Sequence, residues 1–129
     1  MKLPAYNEIP DVGLYLEQVS KYLNAYLDEE FKLTPTMITN YVKLKIVPKA
    51  IKKAYSREQI ALFFIVAISK SVLSMDQIRK ILSLRENIEA LYNSFSAALN
   101  KERCRDELVD KVVKTIRYKI ELNELIEKL

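Results

Sequence analysis

Along the first third of the chain, Val12, Leu16, Val19, Leu23 and Leu27 recur every three or four residues, the spacing of one helical face. Tyr15, Tyr22 and Tyr26 widen that stripe, and the acids Asp28, Glu29 and Glu30 close it. The pattern predicts a helix from Asp11 to about Leu27, after an irregular lead-in broken by Pro4 and Pro10. A second element opens at Thr34-Pro35. Threonine is a favoured N-cap, and proline at the first helical position gives up only a donor that would lack a partner anyway. Over Pro35 to Leu44, a 100° rotation per residue gathers Ile38, Tyr41 and Val42 on one face. Thr36, Thr39, Asn40 and Lys43 fall on the other.

Residues 45–55, KIVPKAIKKAY, read as a connector, interrupted by Pro48 and rich in lysine. Three capping-box patterns follow: Ser56 to Gln59, Ser74 to Gln77, and Ser83 to Glu86. They predict helices running to about Val72, to about Leu82, and through a face of Ile88, Leu91, Tyr92, Phe95, Ala98 and Leu99. A last helix is expected from near Asp106, with Val109, Val112, Val113, Ile116 and Ile120 as its stripe. Beyond Ile120 the apolar residues Leu122, Leu125, Ile126 and Leu129 move to roughly the opposite face. Either the helix breaks there or its end packs on something else.

The 129 residues contain one glycine, Gly13, and no glycine or proline after Pro48. Tight hairpins draw on residues that tolerate positive φ, so this scarcity favours helices joined by short polar connections. The expected fold class is all-α in a single domain, 1–129. Residues 11–83 would form a helix-turn-helix half, and 84–129 a helical half able to pair two copies. The longest uncharged apolar run, Gln59 to Ser69, is too short to span a bilayer and reads as a buried helix. With no signal-peptide pattern at the N-terminus, a cytoplasmic protein without a membrane partner is expected.

Composition also narrows the chemistry. One glycine cannot build a phosphate-cradling loop, and the chain has no histidine to serve as general base or metal ligand. The single cysteine, Cys104, lies between Arg103 and Arg105; it reads as helix filler or as a redox-sensitive thiol. The expectation is a protein that is not an enzyme and has no cofactor, metal or evident small-molecule ligand.

Charge is distributed unevenly. Residues 1–30 carry two lysines and six acids, and residues 58–129 carry twelve basic and eleven acidic groups. Phe31 to Arg57 holds Lys32, Lys43, Lys45, Lys49, Lys52, Lys53 and Arg57 with no acid. Such a stretch is either a solvated lysine-rich loop or a surface for a polyanion.

The order of a capped helix, a basic connector, an aromatic, a capped apolar helix and a short helix resembles the DNA-binding half of MerR-type winged helix-turn-helix regulators. The likeness is carried by Leu33 to Pro48, by Tyr55 to Ile60 and by Leu73 to Ile78. MerR-type proteins usually have a glycine where this chain has Lys45. Lys49 to Ala54 offers no ordinary turn former, so the resemblance implies a wing that is reduced or absent. The whole chain also resembles an uncharacterised bacterial family, domain of unknown function number eighteen thirty-six. That family shares the Thr-x-x-Met-Ile-x-Asn-Tyr-Val-Lys stretch seen at Thr34 to Lys43.

These readings imply a bacterial transcription regulator whose partner is double-stranded DNA, with residues 35–44 as recognition helix. Thr36, Thr39, Asn40 and Lys43 would read base edges, since asparagine can pair with adenine and threonine can reach a thymine methyl. Lys45, Lys49, Lys52, Lys53 and Arg57 would neutralise phosphates. Leu122, Leu125, Ile126 and Leu129 would form a homodimer contact. The rival reading is a helical protein-protein interaction module that keeps the helix-turn-helix shape without sequence-specific DNA binding.

Overall fold

A computed structural model describes all residues, Met1–Leu129. It contains six helices and no strand: α1 (Leu16–Tyr26), α2 (Pro35–Lys43), α3 (Arg57–Ser69), α4 (Met75–Ser83), α5 (Ile88–Leu99) and α6 (Glu107–Glu127). The fold is all-α. No helix is long and apolar enough to cross a membrane.

α3 is the axis of the molecule. Its run Gln59 to Ser69 is apolar on nearly every side, and every one of those residues is buried. A helix without a polar face must be surrounded, and α1, α5 and α6 pack around it. Phe63 and Phe64 are fully enclosed, each worth about 1.5–3 kcal/mol in apolar burial. Phe64 meets Tyr22, Tyr26 and Tyr92 at ring separations of 6.2, 6.1 and 6.0 Å. The Tyr92 hydroxyl donates to Pro4 O at 2.6 Å and so ties the N-terminal lead-in to α5.

Two capping boxes form as the sequence predicts. Ser56 and Gln59 exchange side-chain and backbone bonds at the start of α3, as do Ser74 and Gln77 at α4. The third does not. Ser83 ends α4 with its hydroxyl donating to Lys80 O, and Asn87 caps α5 by accepting from Ala90 N at 3.0 Å. Between them Arg85 pairs with Asp106, the N-cap of α6, at 2.6 Å, a contact that draws the chain off the helical path.

α1 also begins later than its apolar stripe suggests. Gly13 sits at φ +80, and Leu14 pairs with Tyr55 through two backbone bonds of 3.1 and 2.8 Å. The chain is therefore extended where the stripe begins, and Val12 is 87% exposed. α3 ends at Ser69 rather than Val72, whose N–H bonds back to Ser69 O in a closing turn. α6 runs unbroken past Ile120 to Glu127. Its first half buries Val109, Val112, Val113 and Ile116, whereas Leu122, Leu125, Ile126 and Leu129 lie on the surface.

Candidate nucleic-acid interface

α2 divides its residues between core and solvent much as its sequence pattern requires. The Thr34 hydroxyl accepts from Met37 N at 3.1 Å and Pro35 occupies the first turn. Ile38 and Tyr41 are buried, and burial raises the Tyr41 phenol above its ordinary pKa. Thr36, Asn40 and Lys43 face solvent. Thr39 is only half-exposed, and its hydroxyl donates to Pro35 O at 3.0 Å. Its proton is thus engaged within the helix, leaving a methyl group and oxygen lone pairs for any partner.

Both ends of α2 are held by side chains from elsewhere. Asn24 of α1 donates to Leu33 O at 2.8 Å and accepts from Leu33 N at 2.9 Å, and the Ser20 hydroxyl also donates to Leu33 O. The connection from Leu27 to Thr34 includes a 3-10 turn, Glu29–Phe31. It is longer than the three- or four-residue turn of a compact helix-turn-helix. At the other end, Arg79 of α4 donates to Leu44 O through Nε (3.2 Å) and Nη2 (2.8 Å) while Asp76 holds its Nη1 at 2.6 Å. Lys45 takes φ +59. Its N–H bonds to Val42 O, and that of Ile46 bonds to Tyr41 O, which is the two-bond C-terminal closure normally given to glycine.

The lysine connector contains a turn that composition did not lead one to expect. Lys52 and Lys53 both have positive φ, +50 and +66. Ile51 and Ala54 exchange backbone bonds across them at 3.1 and 3.0 Å. Two residues at positive φ between a bonded pair make a mirror-image hairpin turn. Leu14 flanks it through Tyr55. A Cβ at Gly13 would come within 3.0 Å of the Ala54 Cβ, so the one glycine of the chain stands where this close approach needs it. Gln59 Nε2 fixes the base of the connector, donating to Pro48 O and Lys49 O at 2.9 Å each.

Lys43, Lys45, Lys49, Lys52 and Lys53 are all exposed, and none is in an ion pair. Arg57 departs from expectation. Its guanidinium donates to Ile9 O (2.7 Å) and Asn7 O (3.2 Å) and lies over the Tyr6 ring. Committed to the lead-in, it is a brace for the N-terminal segment rather than a free phosphate contact.

The lysine-bearing surface is continuous. Lys43 borders the shallow depression over Thr36, Thr39 and Asn40. It also borders a groove of about 540 Å³ that includes Lys45 and Lys49. Lys49 and Pro48 in turn border a depression beside Val12 and Ile51 at the turn. This surface offers cations, amide and hydroxyl groups, and apolar side chains, with the acids Asp11, Glu58 and Glu86 along its borders; no group of three His, Cys, Asp or Glu is placed to hold a metal ion.

Residues 4–100 match the family described as Domain of unknown function (DUF1836). The chain belongs to that family. The match spans α1 to α5 and takes in the whole lysine-bearing surface, while α6 lies beyond it. No curated protein and no solved structure matches the chain.

Within this DUF1836 chain, the residues that aim α2 are ones that sequence reasoning missed. Ser20 and Asn24 stand four apart beside the apolar stripe of α1, a polar pair where a core face is expected. That spacing is a visible signal of a buried polar contact, but its partner, nine residues beyond Asn24, is set by tertiary structure. Arg79 carries no such signal, because it looks like an ordinary polar helix residue, and Gln59 is legible as a capping-box residue but not as the anchor of Pro48 and Lys49.

Proposed function

We propose that this protein binds duplex DNA through α2, as a regulator of transcription rather than as an enzyme. The observation that carries the reading is the coincidence of two features on one surface. One is the outward face of Thr36, Asn40 and Lys43; the other is a set of five lysines, Lys43 to Lys53, with no acidic partner among them. Unpaired lysines on a rigid scaffold are sites for phosphate, because each phosphate bound releases condensed counterions. An exposed helix with an asparagine at its centre suits the major groove. In this reading α1 and α2 act as a helix-turn-helix of the MerR-like kind, with the Lys52-Lys53 turn as a miniature wing. Asn40 reads a base, Thr36 and Lys43 flank it, and the Thr39 methyl contacts a thymine.

The exposed tail of α6 supports a second part of the proposal, a homodimer. Leu122, Leu125, Ile126 and Leu129 are each more than half exposed on a helix whose first half is packed. A second copy paired there would space two recognition helices for successive turns of DNA, about 34 Å apart. The protein would then work where DNA is, in the cytoplasm.

The test is a binding selection on random duplexes followed by Asn40→Ala. Loss of about 1–3 kcal/mol on the selected site, with little change on unrelated DNA, is the expected result. Failure to enrich any sequence would leave only charge-driven binding. Failure to bind any duplex would end the DNA reading and favour a protein-binding module.

A further inference from the structure

The turn beside the lysine-bearing surface has an apolar tip. Ile51 is 77% exposed and Val12 87%, the highest values of any large hydrophobic residue ahead of the chain terminus. The two border the same depression, with Lys49, although they are far apart in sequence. The next two residues after Ile51 are Lys52 and Lys53, both exposed. A β-branched pair displayed in water, in a depression bordered by Lys49, Asp11 and Glu58, has no role in the core of this chain, whose apolar cluster excludes both side chains.

The backbone there is well braced. Ile51 and Ala54 close the turn with two bonds, Leu14 and Tyr55 add two more, and Gln59 anchors Pro48 and Lys49 from α3. The segment therefore presents its apolar residues on a fixed support, continuous through Lys49 and Lys43 with the outward face of α2.

We propose that this tip is a wedge for DNA: Ile51, with Val12, enters the minor groove beside the stretch held by α2, while Lys49, Lys52 and Lys53 grip the flanking phosphates. The proposal rests on the DNA-binding reading above and specifies the ligand further, as a duplex bent at a flexible step. Apolar side chains inserted between base steps unstack them and kink the duplex. Pyrimidine–purine steps such as TA yield most readily, so the wedge adds a preference for such a step at a position without a hydrogen bond to any base. A bilayer is a poorer fit: two β-branched side chains offer little area for membrane anchoring, and lipid has no base edges for Asn40 and Thr36.

The experiment uses the full chain and a duplex of about 30 base pairs, A·T-rich with one central TA step, carrying a dye at each end. Energy transfer reports the bend, and titration reports the affinity. Wild type should draw the ends together. Ile51→Ser should bind about tenfold more weakly and leave the duplex nearly straight, with its thermal unfolding unchanged because the side chain is exposed. Ile51→Phe should restore the bend. A mismatch at the central step, which supplies the flexibility in advance, should bring Ile51→Ser to within about twofold of wild type. Equal bending by wild type and Ile51→Ser would overturn the wedge, as would binding by wild type to a straight duplex, and in both cases the DNA reading would stand. No binding to any duplex would overturn wedge and reading together, and so would binding confined to phosphatidylserine vesicles.

Discussion

Asn24 grips Leu33 by both backbone groups: Nδ2 donates to the carbonyl at 2.8 Å and Oδ1 accepts from the N–H at 2.9 Å. The pair stitches α1 to the residue just before the N-cap of α2, so it sets how the outward face of α2 is aimed. Asn24→Ala removes both bonds, leaving the Leu33 N–H without a partner and the Leu33 carbonyl with the Ser20 hydroxyl alone. A loss of about 2–3 kcal/mol in urea unfolding is expected, more than one ordinary hydrogen bond contributes. Asn24→Asp should recover part of it, because a carboxylate still accepts from Leu33 N but repels Leu33 O. Equal stability of wild type and Asn24→Ala would show that the clamp holds nothing.

The turn at Lys52-Lys53 separates stability from charge. Both residues sit at positive φ, where a side chain costs about 1 kcal/mol or more that glycine and, in part, asparagine avoid. Replacing them by Asn-Gly, the pair this turn prefers, should stabilise the fold by about 1 kcal/mol. The same change removes two cations, and the salt slope of DNA binding should drop by up to about 1.8. A more stable protein with undiminished DNA affinity would mean that these lysines touch no phosphate.

Much of this architecture is legible in the chain itself. Thr34-Pro35, the boxes at Ser56 and Ser74, the cap at Asp106 and the wholly buried run of α3 follow from local chemistry and periodicity, and each is in place. What was not legible depends on partners remote in sequence. Ser83 fits a capping box as well as Ser74 does, but the Arg85–Asp106 pair decides that α5 starts later, at Asn87. Val12 fits the α1 stripe, but the bridge between Leu14 and Tyr55 holds it extended. Lysine is a poor turn former in isolation, so neither Lys45 nor the pair Lys52-Lys53 announces a positive φ. For the candidate interface, the exposed residues of α2 were visible in the pattern, whereas Asn24 and Arg79, which aim it, were not.

Tyr92 links stability to alkaline pH. Its ring is fully buried, its hydroxyl donates to Pro4 O, and burial raises its pKa well above the ordinary phenol value near 10. The folded chain therefore holds this proton more tightly than the unfolded chain does. The associated stability is complete below about pH 10 and declines as pH climbs from there toward the folded value. Tyr92→Phe should lower stability at neutral pH by about 1–2 kcal/mol, since Pro4 O loses its donor. It should also make the fall above pH 10 shallower. Parallel pH profiles for the two proteins would contradict this account of Tyr92.

The surface of α6 makes a prediction about assembly. Leu122, Leu125, Ile126 and Leu129 are exposed although α6 is continuous, so sedimentation should show a dimer. Leu122→Glu with Leu125→Glu should give a monomer of unchanged helix content, because Val109, Val112, Val113 and Ile116 still pack the first half of the helix. Wild type that stays monomeric at high micromolar concentration would remove the dimer.

The central claim is that the lysine-bearing surface around α2 meets the phosphates of duplex DNA, and salt dependence tests it most directly. Affinity for a fluorescent duplex, measured from low to moderate salt, should fall linearly on a log–log plot, with about 0.9 units of slope for each phosphate neutralised. Lys43→Ala, Lys45→Ala and Lys49→Ala should each flatten that slope by close to one such increment, while Lys114→Ala, which removes a lysine already paired with Asp110 on α6, should leave it alone. A slope unmoved by the three substitutions, or no binding to duplex DNA at the lowest salt, would contradict the claim.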